Sequence, residues 1–261
     1  MSADVPVLRH RKTSTQSIHL STSQLPLGDI SRNTHGSHHS PHFPGPGSGK
    51  TALLFAAALE AAGEDRGAVL FLTRAPLQSL PRGTGARLDH LRLQKIRFQY
   101  PRSTRELHRL LCSAHETPGP APSLLLLDGL EKYLMEDLGT QGTAHLAALL
   151  LDTAAHFSHR AGPGRGCGLI VTLQTQEEGY SGDVLQLLLL QRYFPAQCWL
   201  HLEGPGPGPQ RLQICLEPGG LGSRAEWWMS FQQDGEMTIT SCATQTCNPS
   251  SEKSSSSGGQ S

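Results

Sequence analysis

Apolar and polar positions group along this chain into blocks whose lengths predict an alternating series of helices and strands. The Ala- and Leu-rich run from Thr51 to Ala62 ends at Gly63, which predicts a helix with a glycine stop. Short continuous apolar runs at residues 68–73, 123–128 and 167–173 predict buried parallel strands. The alternating stretch at residues 95–100 stops at Pro101 and predicts a further strand.

The remaining blocks predict a helical middle and a strand-rich end. Ser103 or Thr104 is suited to cap a helix over residues 105–114, and Ala/Leu-rich stretches predict helices at 140–159 and 183–193. Strands are predicted at 197–202, 211–216 and 226–231, followed by a hairpin turn at Asp234-Gly235 and a last strand to Thr240. This order predicts an α/β fold with a mostly parallel sheet and a C-terminal antiparallel hairpin region.

The two ends of the chain differ in composition from the middle. Residues 1–43 are rich in Ser, Thr, His, Pro and Arg, and residues 242–261 are rich in Ser and Gly, so both segments are predicted to be disordered. One domain is therefore expected over residues 44–241. Four histidines of the first segment lie close together in a tract that favours a solvated segment over a metal site: His35, His38, His39 and His42.

Composition excludes several classes of protein. Lys+Arg and Asp+Glu are equal at 22 each, so net charge indicates no particular partner. The six cysteines form no Cys-x-x-Cys pair, which favours reduced thiols over a zinc site or a disulfide framework. No apolar span of about 18 residues is present, so no membrane contact is expected. The N-terminus lacks the apolar core of a secretory signal, and we expect an intracellular protein.

The stretch from Pro44 to Thr51 has the pattern of a phosphate-binding loop opening a helix. Its candidate binding residues are Gly45, Gly47, Ser48, Gly49, Lys50 and Thr51. The glycines let backbone N–H groups turn onto an anion, Lys50 is placed to reach the β- and γ-phosphates, and the Thr51 hydroxyl is a candidate Mg²⁺ ligand. Pro44 stands where the full pattern has its first glycine. The alternative is a Gly/Pro-rich linker that contains Gly-Lys-Thr by chance.

Four leucines followed by Asp128 have the pattern of a Walker B strand. Such a strand is buried on both faces, and its carboxylate emerges at the C-terminal end beside the Mg²⁺ ion. Thr51 and Asp128 are thus the candidate magnesium ligands. A buried leucine run that ends in a turn aspartate is the alternative.

These motifs resemble the RecA-type recombinase core, in which a P-loop nucleoside triphosphatase domain binds ATP. Residues 51–60, 91–101 and 189–199 resemble one divergent group of recombinase paralogues more closely, the SWIM-type zinc-finger-associated proteins, which are ATPase-like subunits of Shu-type complexes. The resemblance implies ATP and Mg²⁺ as cofactors, single-stranded DNA binding and support of recombinase filaments in homologous recombination. It also implies a SWIM-domain zinc-finger partner, contact with the recombinase and its paralogues, and a nuclear location.

The resemblance assigns further roles residue by residue. Gln174 matches the position that senses the γ-phosphate in such folds. Recombinases place a catalytic glutamate just after the second core strand, where this chain has Thr73-Arg74. Glu131 is a substitute candidate, and a solvated glutamate at a helix start is the alternative. We therefore expect a weak DNA-stimulated ATPase at most.

Cationic side chains are concentrated in one part of the chain. Nine Arg and Lys residues lie between residues 74 and 109 against two acidic ones, and we expected this block to lie beside the nucleotide loop. Arg92, Lys95 and Arg97 represent it as candidate DNA contacts, and Arg160 and Arg165 form a second candidate set. An ordinary solvated basic face is the alternative. Trp227 and Trp228 are adjacent, so one is expected in the core and the other toward a partner.

The segment before the loop departs from the family pattern. In P-loop folds the first core strand leads into the loop, whereas residues 31–43 contain one large apolar residue, so this strand is apparently missing. Two other function classes stay open. One is a degenerate P-loop scaffold that acts through protein contacts, and the other is a small-molecule kinase, for which no lid with paired arginines is evident.

Overall fold

The computed structural model describes most of the predicted domain and one segment before it. The described residues are 15–21, 48–63, 67–77, 90–135, 139–174, 184–202, 211–219, 223–231 and 237–241. The disorder predicted for residues 1–14, 22–43 and 242–261 lies outside these ranges.

Within this part of the chain nine strands form one sheet. They are β1 (Thr15–Ser21), β2 (Ala68–Thr73), β3 (Ile96–Gln99), β4 (Pro122–Asp128), β5 (Gly168–Gln174), β6 (Ala196–Leu202), β7 (Arg211–Glu217), β8 (Ala225–Phe231) and β9 (Met237–Ser241). Their spatial order is β3-β2-β4-β5-β1-β6-β7-β8-β9. Strands β3, β2, β4 and β5 are parallel, and β6 to β9 form an antiparallel meander.

Helices cover the parallel strands on both faces. They are α1 (Ser48–Ala61), α2 (His90–Gln94), α3 (Thr104–Cys112), α4 (Glu131–Leu134), α5 (Gly139–Ala161) and α6 (Val184–Tyr193). Helix α1 packs on one face through Ala52, Leu54, Phe55 and Ala58, in a cluster that also includes residues of β6 to β9. Helices α3 to α6 form a second cluster on the other face, over β2, β4 and β5.

A local sequence signal explains where helix α3 begins. The Ser103 hydroxyl accepts a hydrogen bond from the Glu106 N–H at 3.2 Å, and the Glu106 carboxylate accepts one from the Arg102 N–H at 2.7 Å. This reciprocal capping starts α3 where the sequence predicted. Each predicted helix and strand of the domain is present within a few residues of its expected bounds. The predicted α/β architecture, with parallel strands followed by an antiparallel region, is confirmed.

Four of the six cysteines lie in the described residues. Cys167, Cys198 and Cys215 are buried free thiols and Cys112 is an exposed one, as expected for reduced cysteines. Burial raises the pKa of Cys167 and of Cys198 to about 12, so both stay protonated near neutral pH. No helix in the described ranges is both long and apolar enough to cross a bilayer.

Strand β1 corrects the prediction for the N-terminal segment. Residues 1–43 were expected to contribute nothing to the sheet, yet Thr15–Ser21 lies between β5 and β6 and pairs with both. The short alternation Ser17-Ile18-His19-Leu20 is hidden within a polar average over 43 residues. Strands β5 and β6 both present backbone N–H and C=O groups to the space between them, so even a short segment placed there forms many hydrogen bonds.

The direction of β1 differs from that of a strand leading into a P-loop. It is antiparallel to both neighbours, with Gln16 opposite Gln174 and Ser21 opposite Leu169. Ser21 therefore leaves the sheet at the edge opposite the C-terminal ends of β4 and β5. The position of the expected first core strand is filled, but by a reversed segment that does not run directly into α1.

This pairing makes the stability of the domain depend on β1. Ile18→Pro removes one N–H from a strand paired on both sides and leaves a ladder group without its partner, at a cost of about 1–3 kcal/mol. We expect the melting temperature of the full chain to fall by several degrees. Ser254→Pro, in the Ser-rich tail, is the matched control. Equal melting temperatures for both variants and the wild type would contradict a structural role for β1.

Candidate functional site

The C-terminal ends of two parallel strands and the start of α1 meet at one edge of the sheet. Lys50 and Thr51 lie in the first turn of α1, Asp128 is the last residue of β4, and Gln174 is the last residue of β5. Asp128 and Lys50 are buried, at 6% and 4% exposure. The structure thus brings four of the predicted site residues together.

The Asp128 carboxylate joins three elements. Its Oδ2 accepts a hydrogen bond from the Thr51 hydroxyl at 2.8 Å, and its Oδ1 accepts one from the Thr172 hydroxyl at 2.9 Å. The Thr172 hydroxyl in turn accepts the Gly129 N–H at 2.8 Å. Gly129 has a φ of +81°, where the chain turns sharply after β4. Thr172 therefore fixes both the orientation of Asp128 and the turn that follows it.

Thr172 is a site residue that sequence reasoning missed. It lies within a buried apolar strand, and its side chain is fully buried. The only sequence signal is one hydroxyl-bearing residue in an otherwise apolar run. Such a residue needs a buried partner, but the sequence does not show that the partner is Asp128.

The ammonium group of Lys50 lies in an enclosed environment beside Gln174. Its Nζ donates to the Gln174 Oε1 at 3.4 Å, a long hydrogen bond. Burial lowers the pKa of Lys50, and Lys132 acts in the same direction, whereas the carboxylates of Glu131 and Asp128 partly oppose the shift. A buried cation whose hydrogen bond to a described residue is this long can bind an anion that compensates its lost hydration.

Glu131 is tied into the same group. It is the first residue of α4, its side chain is half-buried, and its Oε2 accepts the Gln174 N–H at 3.0 Å. Glu131 does lie at a helix start, as the alternative had it, but the turn after β4 directs its carboxylate back onto β5. Glu131 thus contacts the backbone N–H of Gln174, and Lys50 contacts the side chain of Gln174.

At the end of β2, where recombinases place a catalytic glutamate, this chain has Thr73 and Arg74. Thr73 is buried beside Asp128 in the sheet, and its hydroxyl donates to the Ala75 carbonyl at 3.3 Å. The Arg74 guanidinium donates to the Lys132 carbonyl and lies 6.0 Å from the centre of the Tyr133 ring. A cation held by α4 thus stands where a water-activating carboxylate is expected.

The arrangement suits a magnesium-bound polyphosphate. The Thr51 hydroxyl and the Asp128 carboxylate are hard oxygen ligands, which Mg²⁺ binds together with phosphate oxygens and water. In the described part of the chain no three His, Cys, Asp or Glu side chains form a metal cage. Gly45 and Gly47 lie outside the described residues. Ser48 starts α1, and Gly49 is buried in its first turn.

The candidate DNA contacts lie elsewhere. Arg92 lies in α2, which precedes β3, Lys95 lies between the two, and Arg97 is the second residue of β3. Arg160 lies in the last turn of α5, and Arg165 lies between α5 and β5. Residues before parallel strands lie at the edge opposite those that follow them. The expectation that the basic block lies beside the nucleotide loop is therefore wrong for Arg92, Lys95 and Arg97.

Lys95 and Arg160 contact backbone carbonyls of neighbouring segments. Lys95 donates to the Gly63 carbonyl at 3.1 Å. Arg160 donates to the carbonyls of Thr117 and Gly119 at 3.2 and 2.8 Å, which joins the end of α5 to the loop before β4. Arg97 and Arg165 are exposed and Arg92 is half-buried. The candidates thus include both loop-bracing and solvent-facing cations.

The chain is similar to two curated proteins, both called ATPase SWSAP1. The human protein is 75% identical over 215 residues, which cover 82% of this chain and 94% of the human protein. The mouse protein is 58% identical over 215 residues, covering 82% of this chain and 77% of the mouse protein. No protein-family model matches the chain.

Two solved structures resemble the fold at low identity. The RadB recombinase is 15% identical, with a TM-score of 0.46, and the match covers 72% of this chain and 85% of that protein. A DnaB-like replicative helicase is 11% identical, with a TM-score of 0.43 and coverage of 74% and 55%.

The strand order and the grouping of Lys50, Thr51 and Asp128 define a RecA-like α/β protein with a P-loop site. Within this class the high identity over most of the human protein decides the family. The chain belongs to the family of the ATPase SWSAP1. The resemblance found in the sequence is thereby confirmed.

The contacts of Thr172 generate one prediction. Thr172→Val removes a donor from Asp128 and an acceptor from the Gly129 N–H, which costs about 1–3 kcal/mol for each unsatisfied buried group. We expect a lower melting temperature together with weaker Mg²⁺-dependent ATP binding, measured by titration. Thr172→Ser keeps the hydroxyl and is the control. If valine and serine variants bind MgATP equally, Thr172 does not position Asp128.

The lowered pKa of Lys50 generates a second prediction. The unfolded chain keeps the Lys50 proton up to a higher pH than the folded chain does. The free energy of unfolding therefore rises with pH between the lowered pKa of the folded chain and the ordinary value of 10.5. At neutral pH the buried charge therefore lowers stability. Without nucleotide, Lys50→Met should melt higher than the wild type at pH 7, and the difference should shrink as the pH approaches 10.5.

Arg105→Met, which removes an exposed cation from α3, is the control and should show no such gain. A Lys50→Met variant that melts at or below the wild-type temperature at pH 7 would show that Gln174 and the two carboxylates outweigh the burial.

Proposed function

We propose that this chain is the ATP- and Mg²⁺-binding subunit of a nuclear recombinase-paralogue complex that binds single-stranded DNA. In this role it supports homologous recombination repair by promoting or protecting recombinase filaments. The observation that carries the nucleotide part is the 2.8 Å contact between Thr51 and Asp128 beside the buried Lys50. It joins the P-loop helix to the end of β4 as a shared magnesium position requires.

Each residue of the site has a defined task in this proposal. Lys50 contacts the β- and γ-phosphates, and phosphate binding compensates for the burial of its charge. Thr51 and Asp128 hold Mg²⁺, and Thr172 keeps the Asp128 carboxylate directed at it. Gln174 exchanges its contact with Lys50 for one with the terminal phosphate. MgATP, when bound, supplies the phosphoanhydride bond that any turnover would cleave.

Hydrolysis is expected to be slow. The carboxylate expected after β2 is replaced by Arg74, which is held against α4. Glu131 is the remaining candidate to orient water, but in this structure its Oε2 accepts the Gln174 N–H. While this contact holds Oε2, only the other carboxylate oxygen is available to reach an attacking water.

A second candidate function is a P-loop scaffold that acts through protein contacts without significant hydrolysis. The replacement of the catalytic carboxylate by Arg74 favours it. Both candidates share the proposed partners, namely a SWIM-domain zinc-finger protein and the recombinase with its paralogues. The similarity to proteins called ATPase SWSAP1 supports the first candidate.

The test is a MgATP titration of the purified full chain, with turnover measured with and without a single-stranded oligonucleotide. We expect saturable Mg²⁺-dependent binding and slow turnover in the wild type, and loss of binding in Lys50→Ala. Arg105→Ala, an exposed cation on α3, is the matched control and should bind as the wild type does. Absence of ATP binding by the folded wild type would refute the nucleotide part and leave the scaffold.

A further inference from the structure

We propose that the sheet face bearing Trp199 and Trp228 is a stacking platform for the bases of a single-stranded nucleic acid. This inference rests on the nucleic-acid binding in the proposed function and assigns it a site. The site lies on the antiparallel strands β6 to β8, away from the basic residues that the sequence suggested.

Strand alternation directs both indoles to the same face. On β6, Trp199 lies between Cys198 and Leu200, which are buried toward α1. On β8, Trp228 lies between Trp227 and Met229, which belong to the same cluster. Since successive side chains of a strand point to opposite faces, Trp199 and Trp228 face away from α1. Of the adjacent pair, Trp227 is thus the residue that packs against the α1 cluster, although it is itself half-buried.

The register sets the spacing of the two indoles. Trp199 lies opposite Cys215 on β7, and Trp228 lies opposite Gln213, two residues before Cys215. With strands about 4.8 Å apart and about 3.3 Å per residue, the two Cα atoms are about 12 Å apart. This exceeds the roughly 3.4 Å step between stacked bases of a duplex, so the spacing suits two unstacked bases of a single strand.

The helices of the described chain leave this face open. The apolar cluster under α3 to α6 covers β2, β4 and β5 and includes no residue of β6 to β9. Trp199 and Trp228 are each half-buried, so a part of each indole reaches solvent. Cys215 lies between them on β7 and is buried, with 3% of its surface exposed. Open aromatic side chains on a sheet are the arrangement that stacks bases in common single-strand-binding modules.

The charged groups around the indoles are one cation and two carboxylates. Arg224 is 2.9 Å from Glu226 and 3.9 Å from Glu217, and the Gln213 amide donates to Glu226 at 3.2 Å. These side chains therefore have no excess positive charge to attract phosphates. Binding here should depend on the bases and should weaken little with added salt, unlike binding to a basic block.

The experiment measures binding of a fluorescently labelled oligo-dT by the full chain and compares it with an abasic oligonucleotide of equal length. The abasic strand keeps the phosphates and lacks the bases, so it should bind much more weakly. Trp199→Ala with Trp228→Ala should reduce oligo-dT affinity by roughly tenfold or more, with a small salt dependence in the wild type. Tyr100→Ala, which removes an aromatic ring 40% exposed near the far edge of the sheet, is the control.

A second measurement does not depend on the alanine variants folding. The chain has three tryptophans, so oligo-dT should quench the intrinsic fluorescence of the wild type while the abasic strand leaves it unchanged. Equal affinities for the two strands, or no quenching on saturation, would overturn the platform. Loss of binding in Tyr100→Ala or in a triple variant of Arg92, Lys95 and Arg97, with the tryptophan variant unaffected, would place the contact on the basic block.

Two further outcomes separate a failure of the proposed function from a failure of the platform. If the wild type binds no oligonucleotide at all, the nucleic-acid part of the proposed function itself fails. If the tryptophan variant keeps oligo-dT affinity but no longer co-purifies with a protein partner, the face is a protein interface, and the platform is overturned.

Discussion

The Asp128 carboxylate is the contact on which the arrangement of the site depends. Its two oxygens receive hydroxyl groups from α1 and from β5, while its own backbone ends β4. Three elements far apart in the chain are thereby held at fixed distances. Both donors are short threonine side chains, which leave little freedom for the carboxylate to turn. A buried carboxylate needs such partners, and here they lie where a magnesium ion is expected.

The reversed strand β1 makes this contact more important than it is in a fold whose first strand runs directly into the loop. Here Ser21 leaves the sheet at the opposite edge, so no strand of the described chain positions the start of α1. The helix is held by its apolar face on the sheet and by the bond between Thr51 and Asp128. The packing sets the distance between α1 and the sheet, and the hydrogen bond sets the position of the N-terminal end of α1.

The chemistry around Gln174 combines binding residues with features that oppose fast turnover. Lys50 and Glu131 have opposite charges and both contact Gln174, so Gln174 lies between a buried cation and a carboxylate. Arg74 stands where a carboxylate is expected and is held by α4. These features suit a protein in which nucleotide binding matters more than rapid hydrolysis.

The sequence by itself determined the order of helices and strands, the P-loop and the aspartate after the leucine strand. These features depend on periodicity and on neighbours within a few residues, which a sequence displays directly. It misplaced Arg92, Lys95 and Arg97 and left Thr172 unnoticed. It also took Thr15–Ser21 for part of a disordered tail, because a composition averaged over 43 residues hides a seven-residue strand.

Only the tertiary structure decided the direction of β1, the partner of each Asp128 oxygen and the edge at which each cation lies. A strand can pair in either direction, and the choice depends on ladder groups of β5 and β6 about 150 residues later in the chain. The contact of Thr172 with Asp128 likewise depends on the register between β4 and β5. Such pairings join residues far apart in sequence, so no local pattern specifies them.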